Sequence, residues 1–153
     1  MFERFNQGAR RALFVARYEA SRHGSLSIET EHLLLGLIQE PPGVMSLVFA
    51  RTRVPLELIR QEIESRTNLR QKVAISVDIP FSAETKRVIQ HAVIEADRLG
   101  HNNIGAEHLL LGILNEEGCI AASVLTAKGM RLDTGREGVV QARNEQPDAD
   151  APS

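Results

Sequence analysis

The chain has 153 residues, enough for one domain with its own core, and a single cysteine, Cys119, which excludes an intrachain disulfide and points to the cytoplasm. A formal net charge of -2 with 25% charged residues gives no general attraction for nucleic acid or anionic membrane. No stretch approaches the roughly 20 apolar residues of a membrane span, and Glu3, Arg4, Arg10 and Arg11 interrupt any signal-like apolar run.

Apolar spacing predicts a first helix over residues 6–22, with Ala9, Ala12, Leu13, Ala16 and Ala20 on one face and arginines on the other. Asn6 is its N-cap and Gly24 its C-terminal stop. A second helix runs over 30–40 until Pro41-Pro42, a third over 44–52, and a fourth over 55–66 with Pro55 in its first turn. Residues 73–79 alternate like a strand but have no second strand to pair with, which predicts an extended connector. Further helices follow over 82–99, 106–116, 119–128 and 132–143, the last weakened by Gly135 and Gly138. Residues 144–153 read as a disordered acidic tail.

The second four helices repeat the first four. A shift of 76 positions lays residues 5–67 on 81–143 without a gap, and residues 68–80 link the halves. Phe5 meets Phe81, Glu19 meets Glu95, Gly24 meets Gly100, Ile28 meets Ile104 and Arg60 meets Arg136. The block Glu31-His32-Leu33-Leu34-Leu35-Gly36 recurs whole as Glu107 to Gly112. Gly36 and Gly112 each stand inside an apolar helix, where glycine costs about 1 kcal/mol against alanine. Close approach of a neighbouring helix explains both. The fold class is therefore all-α, two four-helix repeats over residues 1–143.

The doubled Glu-His-Leu-Leu-Leu-Gly block, with Leu99-Gly100-His101-Asn102-Asn103-Ile104-Gly105-Ala106-Glu107-His108, resembles the Clp amino-terminal (Clp repeat) domain. The opening Met1-Phe2-Glu3-Arg4-Phe5 is similar to the ClpC type. The resemblance implies a pseudo-twofold bundle of eight helices that normally precedes AAA+ ATPase modules and receives substrates and adaptor proteins. No Gly-x-x-x-x-Gly-Lys-Ser/Thr phosphate loop occurs in this chain. The low-complexity tail favours a natural single-domain protein over a piece of a longer ATPase. Repeat one departs from the family pattern at His23-Gly24-Ser25-Leu26-Ser27-Ile28-Glu29.

Glu31 and Glu107 fall in the first turns of their helices, where the helix dipole favours acids in any case. In some bacterial ClpC-type domains the equivalent glutamates hold the guanidinium of phosphorylated arginine, so the resemblance implies a ligand role for both. The caps Asn6 and Ser82 and the cations Arg10 and Lys86 are matched as well, and free N–H groups at those helix starts suit a phosphate. Each repeat thus offers a cation site beside an anion site, and repeat two, closer to the family pattern, is expected to be the stronger.

Adjacent His32 and His108 point about 100° away from those glutamates, which argues for structural histidines and against a metal centre. Cys119 reads as a small core residue and the arginines of the first helix as a solvated face. The functional expectation is a non-enzymatic, monomeric binding module for substrates or adaptors of a Clp ATPase, or for the ATPase itself, with no cofactor, metal or catalytic residue. A small hydrolase finds no nucleophile–base set here, and a DNA-binding regulator finds no basic recognition helix.

Overall fold

A computed structural model describes residues 2–39, 43–67 and 78–145. Among them are eight helices: α1 (Gln7–Arg22), α2 (Thr30–Ile38), α3 (Gly43–Thr52), α4 (Leu56–Arg66), α5 (Ala83–Arg98), α6 (Ala106–Asn115), α7 (Ile120–Ala127) and α8 (Leu132–Glu145). These fall within a few residues of the predicted spans. Helix α8 runs two residues into the segment read as tail; the rest of the tail, residues 68–77 of the linker and the Pro41-Pro42 break lie outside the described residues.

Local chemistry sets the ends. Asn6 accepts a hydrogen bond from the Ala9 N–H at 3.0 Å, and Ser82 accepts one from the Thr85 N–H at 3.1 Å. Gly24 and Gly100 take φ values of 72° and 74°, so both first helices end in the same left-handed turn. Helices α2 and α6 are apolar beyond their first-turn Glu-His pairs and buried along nearly their whole length, so they form the centre of the bundle.

The close approach expected at the paired glycines is present. A Cβ on Gly36 would lie 2.4 Å from the Ala12 carbonyl oxygen of α1, and one on Gly112 would lie 2.3 Å from that of Val88 on α5. Helices α1 and α2 pack together, as do α5 and α6, with Ala16 or Ala92 alongside the glycine. Gly135 and Gly138, read as helix weakeners, also sit at contacts: the first faces Leu114 and the second faces Val48 and Thr52 of α3.

The repeats interlock. Helix α3 packs on α8 and α4 on α7, so the fourth helix of each repeat lies against the third helix of the other. Two short parallel bridges join the halves, Phe5 with Ile104 and Ile28 with Phe81. The connector expected over residues 73–79 lies, as far as residue 77, outside the described residues. The Asn6 N–H donates to the Ile104 carbonyl at 2.9 Å and the Ile104 N–H to that of Arg4 at 2.8 Å. On the other side the Ile28 N–H donates to the Pro80 carbonyl at 2.7 Å and the Ser82 N–H to that of Ile28 at 3.1 Å. The start of each repeat is thus stitched to the middle of the other.

Candidate functional site

That stitching decides which predicted site residues meet. Asn6 and Arg10 stand over repeat two: the Asn6 amide and the Glu107 carboxylate both crowd Gly105, where a Cβ would lie 3.0 Å from Asn6 Nδ2 and 2.3 Å from Glu107 Oε1. Arg10 and Asn6 line one cleft together with Asn103. Ser82 and Lys86 belong with repeat one, because Ser82 is bonded to Ile28 and Glu84, in the same first turn, shares a cleft with Glu31. The grouping therefore runs across the repeats: Asn6 meets Glu107 at Gly105, and the start of α5, with Ser82 and Glu84, lies on the Glu31 side. Register equivalence says which residues correspond, and a pseudo-twofold axis places corresponding residues on opposite sides.

The two carboxylates differ in their surroundings. Glu107 Oε2 accepts a 2.6 Å bond from Nη1 of Arg143, in the last turn of α8, and both side chains are largely buried. Sequence reasoning passed over Arg143. The signal was the register itself, since the twin of Arg143 is Thr67. The repeat-two carboxylate thus already holds a guanidinium of its own chain.

Glu31 is only 8% exposed, and among the described residues no basic side chain lies within ion-pair distance of it. Its side-chain contact is the Thr30 hydroxyl at 3.5 Å. Burial, then the nearby charges of Glu29 and Glu84, push its carboxyl above the ordinary range. A raised folded pKa means that this group favours the fold below its unfolded value, and that the benefit is lost as pH rises through the folded value. E31Q is expected to be more stable than the parent at pH 7, by about 1 kcal/mol or more, with the gap closing toward pH 4. Thermal melts of both proteins at the two pH values check this; an E31Q melting below the parent at pH 7 counts against it.

The histidines have structural work. His32 Nδ1 accepts the Glu29 N–H at 2.9 Å, and His108 Nδ1 accepts the Gly105 N–H at 2.9 Å, so each ring closes the first turn of its helix. Burial, and after it His23, lower the His32 pKa to about 4, which keeps that ring neutral. Cys119 is buried at the start of α7, where its sulfur accepts the Ala122 N–H at 3.4 Å, and burial pushes its thiol pKa up. A thiol so placed is a packing residue rather than a nucleophile.

The model of the Clp repeat (R) N-terminal domain matches residues 4–128 and 80–153, two overlapping matches that reflect the duplication. The chain belongs to that family. It is 39% identical over 149 residues to the chloroplastic chaperone protein ClpC1 of Oryza sativa subsp. japonica, covering 97% of this chain and 16% of that protein. The N-terminal domain of the chaperone ClpD from Arabidopsis thaliana superposes with a TM-score of 0.71 at 28% identity, over 92% of this chain and 98% of that one. A ClpV N-domain solved in complex with a VipB peptide shares the fold, with a TM-score of 0.71 at 18% identity, over 99% of this chain and 92% of that one. This Clp N domain thus spans less than a fifth of the length of the ClpC relative. No single described helix is long and apolar enough to cross a membrane.

Proposed function

We propose that this chain is a non-enzymatic receptor of the Clp proteolysis and chaperone system, acting in the cytoplasm as a monomer. It holds substrate or adaptor proteins of a Clp ATPase and regulates or sequesters them, and arginine phosphate is the mark it reads. The observation that carries this reading is the Glu107 carboxylate, which already seats a guanidinium, set beside the start of α1 with Asn6 and Arg10. A planar cation joined to an anion needs both kinds of partner close together. Here a carboxylate takes the guanidinium, and unsatisfied N–H groups with a nearby arginine take the phosphate. The ClpV N-domain bound to a VipB peptide supports a peptide-binding role for the fold. Helices α2 and α6 are committed to packing along their length, which leaves the helix starts and the bridged loops as the surfaces for recognition. The same surface serves whether the domain acts alone or joined to an ATPase.

The ligand's guanidinium would replace that of Arg143, so Arg143 acts as an internal competitor. Calorimetric titration of free phosphoarginine against the parent, R10A and R143T tests this. R143T is expected to bind more tightly than the parent. R10A is expected to bind about 10- to 100-fold more weakly, the loss of one charge-assisted hydrogen bond. Absence of binding to both the parent and R143T refutes the phosphoarginine reading, and equal affinity of R10A and the parent removes Arg10 from the site.

A further inference from the structure

The outer face of α1 carries a pattern that its copy lacks. Phe14 and Tyr18 are 67% and 43% exposed and stand one helical turn apart. At about 100° per residue they point the same way, away from the buried Ala9, Ala12, Ala16 and Ala20. The same spacing sets Arg10 and Arg17 to one side of this aromatic ridge and Arg11 and Arg22 to the other. Glu19, the one acid of α1, is turned inward and buried. The acids that reach this face stand at its ends, Glu3 near Arg10 and Glu64 near Arg22. In α5 the twins of Phe14, Arg17, Tyr18 and Ser21 are Gln90, Val93, Ile94 and Asp97. Repeat two thus has no aromatic ridge, one flanking cation fewer and an added acid.

A groove adjoins the ridge. Gly8, Arg11 and Ala12 of α1 line it with Gly36 and Leu37 of α2, and its volume is about 280 Å³. The twins of Gly8 and Ala12 are the larger Glu84 and Val88. That volume falls below the roughly 300–1,000 Å³ of small-molecule pockets and suits an anchoring side chain of a protein segment. Scattered exposed apolar residues are ordinary on a protein surface. Two adjacent aromatics between rows of arginine are the composition in which interface energy concentrates.

We propose that the outer face of α1 docks an acidic amphipathic helix of a partner protein. Its apolar side would rest on Phe14 and Tyr18 with one anchor in the groove at Gly8, and its carboxylates would face Arg11 and Arg17. Charge complementarity selects this occupant, because the middle of the face presents arginines and no acid. A second copy packed α1 against α1 would set those arginines against one another. The 16 residues of α1 span about 24 Å, enough to hold a partner helix over several turns. This face is separate from the cleft of Asn6, Arg10 and Glu107.

Tyr18 is the one tyrosine of a chain without tryptophan, so tyrosine emission reports on this face. Titration of the whole chain with acetyl-EELAELLEELAEAL-amide, which has no aromatic residue, is expected to change that emission saturably. The affinity is expected to fall as salt rises. F14Q and R17V install residues that α5 carries at the same positions, and both are expected to melt like the parent. F14Q is expected to bind at least about tenfold more weakly, and R17V to bind more weakly with a shallower salt dependence. Absence of a saturable change in the parent overturns the proposal, as does parent-like binding by F14Q. Equal binding of the peptide with lysine in place of every glutamate also overturns it. Tighter binding to phosphatidylglycerol vesicles than to the peptide overturns it in favour of a membrane face. Self-association of the parent that F14Q abolishes overturns it in favour of a second copy. The phosphoarginine reading is judged by R10A and R143T, so loss of one kind of binding with the other kept separates the two.

Discussion

Replacing Gly112 with alanine is expected to lower the melting temperature by about 6–12 °C, a loss of roughly 3 kcal/mol or more in a domain of this size. The added methyl would stand 2.3 Å from the Val88 carbonyl oxygen and 3.2 Å from the Ala92 nitrogen. Both obstacles are backbone, so no side-chain rotation relieves the clash; α5 and α6 must separate. Helix α6 is buried along its length and has no free side toward which to move. The gain in helix propensity, about 1 kcal/mol, is smaller than the cost of separating two packed helices. G36A meets the Ala12 carbonyl at 2.4 Å and is expected to behave alike. Circular-dichroism melts of the two variants settle the point; a melting temperature at or above the parent's for either would show that the helices do not approach as closely as described.

Breaking the ion pair between Glu95 and Arg136 is the second large effect. Glu95 is 2% exposed, and its oxygens accept bonds from Arg136 Nε and Nη2 at 2.9 and 2.7 Å, with Asn115 adding a third at 3.1 Å. R136M leaves a buried carboxylate without its cation, which costs about 3–5 kcal/mol. The bond from Arg136 outweighs burial and holds the Glu95 pKa below its ordinary 4.5. A lowered folded pKa contributes stability above the unfolded value, and that stability is lost as pH falls through the folded one. The gap between R136M and the parent is therefore expected to be widest near neutrality and to narrow in acid; the E31Q gap narrows in acid as well but has the opposite sign, the variant being the more stable of that pair. Adding E95Q to R136M is expected to restore much of the loss. Denaturant titrations at pH 7 and pH 4 check both statements, and a gap that does not change with pH would exclude the ion pair as its cause.

The twin of this pair is looser. Glu19 stands 3.6 Å from both Arg22 and Arg60, and its Oε1 has no hydrogen bond. The same aligned residues thus support a tight bidentate pair in one repeat and a slack three-way contact in the other. Identity in the alignment did not reveal that difference, because a bond length depends on how α8 or α4 is held by helices from the opposite repeat.

The functional side chains show the same division. That Glu31 and Glu107 are equivalent, and that Asn6 and Ser82 cap equivalent helices, was legible in the register alone. So was the departure at Thr67 and Arg143, which occupy equivalent positions in the register. Which cap faces which carboxylate was not legible. Nor was the fact that Glu107 holds Arg143 while, among the described residues, Glu31 has no cation.

Sequence by itself determined the helices, their caps and stops, the duplication, and the need for a close helix approach at Gly36 and Gly112. All of these follow from local propensities and from spacing within one segment or its copy. Tertiary structure alone decided the crosswise assembly of the repeats, the parallel bridges at Phe5 and Ile28 and the pairing of Arg143 with Glu107. Each of those depends on groups far apart along the chain, brought together by burial of the α2 and α6 faces, which has no direction along the sequence.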